Sequence, residues 1–560
     1  MYILGLSCFY HDSASCLLRD GEIVAACQEE RFSRLKHDWR FPAESIGFCL
    51  EHAGITIDDI DHVCFYEKPL LKFERVIETF LSIAPRGFPS FVGTVPSWLT
   101  QKLWLPHLLS KKTGYRKKPL YAEHHLAHAA SAFFASPFEE AAVLTVDGVG
   151  EWASAAYGHA KRNTVSLTHE MRFPHSLGLL YSAATSFLGF RVNHDEYKVM
   201  GMAAYGKPVF LPRITDRIVR MHPDGSIRLN LEFFEFQYGE RMFNQARWQR
   251  LFGTPPRRPG DDFLQEHFDI AASFQSVTET VVMTMAEHVH RITKADCLCL
   301  AGGVALNSVA NGKLLRNGPF KDMFIQPAAG DAGGAIGAAY AAYHQYLGKK
   351  DRHPLDNLYL GPSYANEEIA SFLEAAGERF EKLPEDVLCA KVARLLAEGK
   401  VVGLFQGGME FGPRALGNRS ILADPRRPEM KDTINRKVKF REYFRPFAPA
   451  VLQEDAREYF SLDRPSPYML VTAPVRSEKI PAVTHYDGSA RVQTVARGTN
   501  PGLHALLTEF RKLTGVPVLL NTSLNIRGEP IAMTPSHALR AYRESAMDAL
   551  ALENCLLVKD

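Results

Sequence analysis

His124 and His128 stand four residues apart in the run Glu123-His124-His125-Leu126-Ala127-His128-Ala129-Ala130. The spacing predicts a helix that puts both imidazoles on one face, able to share one cation, while His125 points elsewhere. The residues around them are small and apolar, so two imidazoles without a partner would be poorly solvated there. Asp147 stands at the first turn of a strand-turn-strand pattern, and Asp331 at the mouth of a glycine-rich turn. Two neutral imidazoles and two carboxylates suit iron, zinc or manganese, and spacing does not choose among them. The competing duty for each aspartate is to cap a helix or close a turn.

A second concentration has the opposite sign. Between positions 414 and 445 lie ten basic residues (Arg414, Arg419, Arg426, Arg427, Lys431, Arg436, Lys437, Lys439, Arg441 and Arg445) against four acids (Asp424, Glu429, Asp432 and Glu442), in a chain whose formal net charge is only +2. Such a local excess attracts phosphates. The glycines of Gly407-Gly408 and Phe411-Gly412-Pro413-Arg414-Ala415-Leu416-Gly417 let backbone amides approach an anion, and Arg414 in that turn suits bidentate phosphate recognition. Arg491 and Asn521-Thr522-Ser523-Leu524-Asn525 could complete the site from later strands. The alternative is a solvated basic face that touches nucleic acid, with Tyr443, Phe444 and Phe447 as stacking residues. Arg445-Pro446-Phe447-Ala448-Pro449 reads as a stiff, apolar pocket wall, which favours a buried phosphate site.

Repeated elements must position these residues. Residues 2–30 read as a strand, a turn around His11 and Asp12, a strand from Ser13 to Leu18, a hairpin at Asp20-Gly21, and a strand ending near Gln28. Residues 141–171 repeat the plan, with strands from Ala141 to Val146 and Ala153 to His159, a turn over 147–150, and a hairpin at Lys161-Arg162-Asn163. Helical spacing from Asp269 to Lys294 leads into a strand at Cys297 to Leu300 that empties into Gly302-Gly303, with a helix from about Asn307. A strand from Asp322 to Gln326 leads through Ala328-Ala329-Gly330 to Asp331 and a helix over Gly333 to Tyr343. Strand, glycine turn and helix is the usual ligand-bearing unit of an α/β sheet. The duplication resembles the actin, hexokinase and Hsp70 superfamily (ASKHA), whose paired RNase H-like halves cradle a nucleotide phosphate chain.

A chain of 560 residues needs more than one core. The polar stretch after Gly348 and the prolines at 354 and 362 divide it into a domain over 1–350, a linker over 351–365 and a second α/β domain over 366–560. The second opens on a helix from Glu385 to Glu398 and a strand from Val401 to Phe405. The segment from Phe80 to Leu109 is apolar and aromatic but broken by Arg86, Lys102 and prolines 85, 89, 96 and 106, and reads as a loop-rich insertion beside a pocket or subunit interface. Nine scattered cysteines without a CxxC pair argue against a disulfide framework or a thiolate zinc site and point to a reducing cytoplasm. The opening Tyr2-Ile3-Leu4-Gly5-Leu6 lacks a basic leader, and no apolar run reaches spanning length, so neither a signal peptide nor membrane insertion is expected.

Taken in order, several runs make the chain resemble the NodU/CmcH family of O-carbamoyltransferases over nearly its whole length. They are Phe9-Tyr10-His11-Asp12-Ser13-Ala14-Ser15, the stretch from Glu29 to His37, the histidine run, Lys198 to Gly206, Gly302 to Asn307, the GPRALGNRS run from Gly412, the FRPFAP run from Phe444 and the NTSLN run from Asn521. The resemblance implies an N-terminal ASKHA domain that binds a metal and transfers a carbamoyl group, joined to a YrdC-like domain that makes carbamoyl adenylate from carbamoyl phosphate and ATP. It implies His124, His128, Asp147 and Asp331 as metal ligands, with Fe2+ the family expectation. It implies Arg414, Lys439, Arg445, Arg491, Asn521 and Ser523 as holders of carbamoyl phosphate and of ATP with Mg2+. His11 and Lys36 would reach that site from the first domain, and Gly302, Gly303 and Asn307 would position the adenylate. The partners implied are a small hydroxylated acceptor and the two co-substrates, with no nucleic acid; a homodimer is the default for oligomeric state. The rival readings are a tRNA threonylcarbamoyl-transfer protein, a sugar or acetate kinase, and a nucleotide- or RNA-binding regulatory module.

Overall fold

The computed structural model of the chain describes every residue except 101, 240 and 560. Two compact units emerge: Met1–Glu29 with His37–Leu355, and Glu30–Lys36 with Asp356–Asp560. The short stretch 30–36, placed with the first domain by the sequence, therefore belongs with the second unit.

In the first unit, β1 (Tyr2–Ser7), β2 (Ala14–Arg19) and β3 (Glu22–Gln28) form an antiparallel meander. β4 (His62–Phe65) joins β1 in parallel. The helices α1 (Pro69–Ser82), α2 (Phe88–Thr100) and α3 (Leu105–Thr113) precede β5 (Leu120–Tyr121), which pairs parallel with β4. After α4 (His124–Phe133) the plan recurs: β6 (Glu140–Val146), β7 (Ala153–Lys161) and β8 (Thr164–Arg172) form a second meander. Helices α5 (Leu177–Phe187) and α6 (Gln265–Thr293) lead to β9 (Cys297–Ala301), which pairs parallel with β6. Then come α7 (Ser308–Asn317), β10 (Asp322–Ile325), parallel to β9, and α8 (Asp331–Tyr340).

The sheet orders are β3-β2-β1-β4-β5 and β8-β7-β6-β9-β10, with identical strand directions. This is the duplicated core of the ASKHA architecture that the hairpin repeat predicts. Small residues on α8 let its surroundings close in: a Cβ at Gly337 would lie 1.7 Å from the Ala127 carbonyl oxygen of α4. That approach draws the N-terminus of α8, with Asp331, towards the imidazoles of α4.

The expected loop-rich insertion is helical instead. Pro69 and Pro106 sit in the first turns of α1 and α3, Pro89 is the second residue of α2, and only Pro96 lies inside a helix. Proline in a first turn removes an amide hydrogen that has no acceptor there, so these prolines start helices rather than break them.

The second unit begins with α9 (Asn366–Ala375), a helix ahead of the one expected to open the domain. It buries Ile369, Ala370 and Leu373 and starts directly after the polar stretch read as linker. One mixed sheet follows, built from β11 (Glu381–Lys382), β12 (Val402–Phe405), β13 (Arg419–Ala423), β14 (Ala448–Leu452), β15 (Gln493–Val495), β16 (Val518–Ser523), β17 (Ala549–Leu552) and β18 (Cys555–Val558). Its order is β11-β18-β17-β12-β13-β16-β14-β15. Leu388, Val392 and Leu396 of the helix over Glu385–Ala397 pack with Leu503, Leu507 and Phe510 of the helix over Pro501–Thr514 against the sheet. Register sets Asn521 opposite Leu422 and Ala448, and Ser523 opposite Ser420. The NTSLN run thus leaves the sheet beside the strand that follows the GPRALGNRS turn.

Candidate functional site

α4 is buried along all ten residues, and its two imidazoles meet the aspartates of the β6–β7 turn and of α8. His124 Nε2 lies 2.9 Å from Asp147 Oδ2 and 3.1 Å from His128 Nε2. His128 Nε2 lies 3.5 Å from Asp147 Oδ2, and Asp331 Oδ1 stands 3.8 and 3.7 Å from the Nε2 atoms of His124 and His128. One donor atom from each of the four falls within 4.8 Å of the others, and all four residues are buried. Asp331 Oδ1 has no hydrogen-bond partner among the described residues. His125 is turned away, between Thr145 Oγ1 at 2.7 Å and the Ala153 carbonyl at 2.9 Å.

The electrostatics call for positive charge. Burial disfavours an imidazolium, yet the nearby carboxylates of Asp147 and Asp331 push His128 up to about 9. Burial would raise Asp147, but His124 and His128 hold it well below the usual carboxylate range. Two carboxylates and two imidazoles in a dry pocket suit a divalent transition metal in charge and in donor type. His11 belongs to these surroundings: its Nε2 stands 3.8 Å from Asp331 Oδ2, and its Nδ1 lies 2.9 Å from Asp12. The Tyr66 hydroxyl donates to Asp331 Oδ2 at 3.4 Å.

The three residues expected to position the adenylate are already engaged. Gly302 donates its amide to the Ala329 carbonyl at 2.9 Å, and Gly303 donates to Asp147 Oδ1 at 3.0 Å. Asn307 caps α7 through Ala310 N and exchanges two hydrogen bonds with the Gln275 amide, at 2.9 and 3.0 Å. What the glycines offer is bare backbone surface. Gly302 has φ +91, and a Cβ there would sit 2.3 Å from the Val146 carbonyl oxygen.

Two residues that no spacing marks hold the first cluster together. Glu151 accepts from the backbone amide of His124 with both oxygens, at 3.0 and 3.1 Å, and from Lys68 at 2.8 Å. A carboxylate at the first turn of α4 both satisfies an orphan amide and complements the helix dipole. Tyr66 is the second, through its hydroxyl on Asp331 and its ring 5.3 Å from that of His124.

In the second unit the GPRALGNRS turn winds around the buried carboxylate of Glu410. Its Oε1 accepts from the amides of Leu416, Asn418 and Arg419 at 2.8, 2.8 and 3.1 Å. Arg414 rides on this loop. Burial, then the charges of Arg414, Arg441 and Arg445, hold Arg491 well below the usual arginine range, and its Nε is buried with no partner among the described residues. Arg445 lies 3.6 Å from Glu442, and Asn521 donates to Gln493 Oε1 at 2.8 Å while its Oδ1 is buried without a partner among the described residues. Lys439 feels Arg441, Arg445 and Lys36, but its ammonium donates to the Ser523 carbonyl at 2.7 Å and to the Asn525 carbonyl at 2.9 Å. Lys439 thus holds the NTSLN turn in shape. Lys36 arrives from the stretch 30–36, where Arg31 donates to the Gly412 carbonyl at 2.7 Å and Arg34 to those of Pro530 and Ile531 at 2.7 and 2.8 Å.

Not every basic residue of this region faces an anion. Arg419 is fully buried and spends its guanidinium on the carbonyls of Gln406, Asn418, Pro362 and Gly407, over the ring of Phe405. Arg426 forms a forked pair with Asp424 at 2.7 and 3.0 Å. The charge excess read from the sequence is therefore partly structural, while Arg414, Arg441 and Arg445 come close enough to Arg491 to act on its charge. Beside it, a recess is lined by Tyr359, Tyr468, Gln493 and Asn500 among others.

With both clusters placed, comparison with known proteins is decisive. Residues 2–340 match the carbamoyltransferase N-terminus family and residues 393–559 the carbamoyltransferase C-terminus family. The chain belongs to the carbamoyltransferase family. This carbamoyltransferase is 49% identical to an uncharacterized protein of Synechocystis, over 100% of this chain and 97% of that one. It is 39% identical to nodulation protein NolNO of Sinorhizobium fredii, over 98% of this chain and 79% of the relative. Among solved structures it is similar to component A of the (R)-2-hydroxyglutaryl-CoA dehydratase of Acidaminococcus fermentans, at 18% identity and TM-score 0.34, covering 61% of this chain and 96% of that one. The carbamoyltransferase is thus an enzyme that carries carbamoyl groups. Among the described residues no helix is long and apolar enough to cross a membrane.

Proposed function

We propose that the chain is an ATP-dependent O-carbamoyltransferase. Its second unit, read as YrdC-like, makes carbamoyl adenylate from carbamoyl phosphate and ATP, and its first transfers the carbamoyl group to a hydroxyl of a sugar or natural product. The observation that carries the reading is the convergence of His124, His128, Asp147 and Asp331 within 4.8 Å.

Carbamoyl phosphate is a sluggish donor to a hydroxyl, and a mixed anhydride with AMP activates the carbonyl further. For the atoms to balance, water takes the phosphoryl group, the freed carbamate oxygen attacks the α-phosphorus of ATP, and pyrophosphate leaves. Arg414, Arg445 and Arg491 would neutralise the phosphates in that step, with Mg2+ accompanying ATP. Asn521 and Ser523 would line the site, Lys439 would keep their turn in place, and Lys36 would add its charge. Tyr359 and Tyr468 offer the base of the nucleotide two aromatic rings.

In the first unit His124, His128, Asp147 and Asp331 would hold a divalent metal, Fe2+ by the family resemblance. When bound, it would supply Lewis-acid polarisation of a substrate oxygen. Gly302 and Gly303 would let the adenylate lie against bare backbone, with Asn307 fixing the start of α7. His11, raised to about 10 by Asp331 and Asp12 against the opposing effect of burial, would present positive charge to the same pocket.

The test supplies carbamoyl phosphate and ATP with a panel of hydroxylated acceptors and follows AMP, pyrophosphate and carbamoylated product. AMP formation that depends on carbamoyl phosphate is expected. Release of ADP would instead identify a kinase, and a requirement for threonine and tRNA would identify the tRNA-modifying rival.

A further inference from the structure

The mechanism leaves unused a buried arginine, Arg75, which lies close enough to Glu67 and Glu151 to feel their charges. It lies on α1 with only 9% of its surface exposed. Its Nε is buried without a partner, and its guanidinium makes no hydrogen bond or ion pair among the described residues. The group rests over the ring of Phe173, 5.0 Å from the centroid. The nearby acids are committed elsewhere. Glu67 pairs with Lys72 at 2.5 Å, and Glu151 serves the amides of Lys68 and His124. An arginine does not escape burial by losing its proton, so a dry guanidinium without an anion is a destabilising feature that a ligand can relieve.

Its supports lead to the metal centre. α1 is preceded by Lys68, whose amide shares the Glu151 carboxylate with the first residue of α4. Phe173 donates its amide to the Trp152 carbonyl at 2.8 Å, and Ser176, three residues on, donates to that of Gly148 at 2.7 Å. Both walls of the Arg75 niche therefore hang on the turn that carries Asp147. Tyr10, 36% exposed, stands at its mouth with Lys72 over its ring at 4.9 Å and the His11 ring 4.6 Å away.

The duplication says which substrate belongs here. β4 and β9 hold equivalent places in the two sheets, each parallel to the first strand of its half. The exit of β9 carries Gly302 to Asn307, given above to the adenylate. The exit of β4 carries Tyr66 to Arg75 and is left for the acceptor.

We propose that Arg75, backed by Phe173, recognises an acidic group, a carboxylate, sulfate or phosphate, on the acceptor, so that the enzyme carbamoylates hydroxylated molecules that are also acids. This rests on the carbamoyl-transfer reading and names the chemical class of its acceptor. Arg75 is a specificity residue of the acceptor site, its planar fork matched to two oxygens of one anion.

The probes are methyl glucuronide and methyl glucoside, which differ at the terminal carbon, a carboxylate in one and a hydroxymethyl group in the other. Binding of each to the full chain is measured by calorimetry, and kcat/KM for each is measured with carbamoyl phosphate and ATP. The wild type is expected to prefer the glucuronide by about tenfold to a hundredfold, the worth of one charge-assisted contact. Arg75→Gln should bring that ratio to about one, chiefly through KM. Equal binding of the two glycosides, failure of the glucuronide to bind, or a preference that survives Arg75→Gln would overturn the proposal. So would an equal loss on both acceptors, which would assign Arg75 to the phosphate of the adenylate. Arg75→Met, which removes the buried charge but keeps the apolar stem, should raise the unfolding temperature of the free protein; a large fall would make Arg75 a structural prop instead. Pyrophosphate release from ATP and carbamoyl phosphate without acceptor is scored separately: its absence would sink the proposed function, while the binding ratio would still judge Arg75.

Discussion

The two clusters of this carbamoyltransferase solve one electrostatic problem with opposite signs. In the first unit, carboxylates and imidazoles close on one another, and against the effect of burial their opposite charges hold Asp147 low and His128 high. In the second, Arg414, Arg441, Arg445 and Arg491 gather with like charges close together, and burial and that repulsion hold Arg491 well below the usual arginine range. Each is nevertheless anchored by the same device, a buried glutamate that collects backbone amides: Glu151 in one, Glu410 in the other.

The contrast breaks most sharply at a metal ligand. His128→Ala should lower transfer from supplied carbamoyl adenylate by about a thousandfold, the order of several kcal/mol that a bound Lewis acid contributes. Metal content should fall with it. Metal analysis beside single-turnover transfer checks this; full transfer by metal-free protein would remove the cation from the comparison.

Arg414→Ala probes the other sign. Losing one guanidinium from the anion cluster should slow carbamoyl adenylate formation by about a hundredfold to a thousandfold, as for a lost donor to developing charge. Pyrophosphate release reads the first step and transfer from supplied adenylate reads the second. If Arg414→Ala and His128→Ala each depress both steps equally, the division of labour between the units fails.

Much of this was legible in the sequence because period and turn chemistry carry it. The hairpins at Asp20-Gly21 and Arg162-Asn163, the strand-glycine units after β9 and β10, and the four-residue spacing of His124 and His128 each follow from local rules, and the sheets repeat as those hairpins imply. The helices α1 to α3 were hidden because four prolines read as breakers, although three lie where helices begin or between them. Arg419 counts towards the basic excess of the sequence because charge density does not distinguish a guanidinium facing solvent from one wrapped in four carbonyls. Glu151, Glu410 and Arg75 carry no spacing signal at all. Their roles arise only when distant backbone or an aromatic ring is folded against them.

Glu410→Ala sharpens the shared device. Three buried amides of the GPRALGNRS turn would lose their acceptor, at about 1–3 kcal/mol for each group left unsatisfied. The turn should open, so AMP formation falls although Arg414 is present, and the denaturant midpoint falls with it. If AMP formation survives in a folded protein, the turn is held by something other than Glu410.

The smallest expected effect is at Glu151→Gln, which keeps size and one acceptor oxygen but removes the charge at the first turn of α4. Charge next to a helix N-terminus is worth about 0.3–1 kcal/mol, rising towards about 2 kcal/mol where it is partly buried. Burial raises the pKa of Glu151, so part of that charge is already discounted and the lower range applies. The unfolding midpoint should therefore shift by a few degrees at most, while metal affinity falls about tenfold, because His124 is the residue whose amide is released and its ring is oriented by that turn. Isothermal titration of the metal into variant and parent separates the two readouts. A drop in stability with unchanged affinity would show that Glu151 serves the helix alone and that the two glutamates are alike only in appearance.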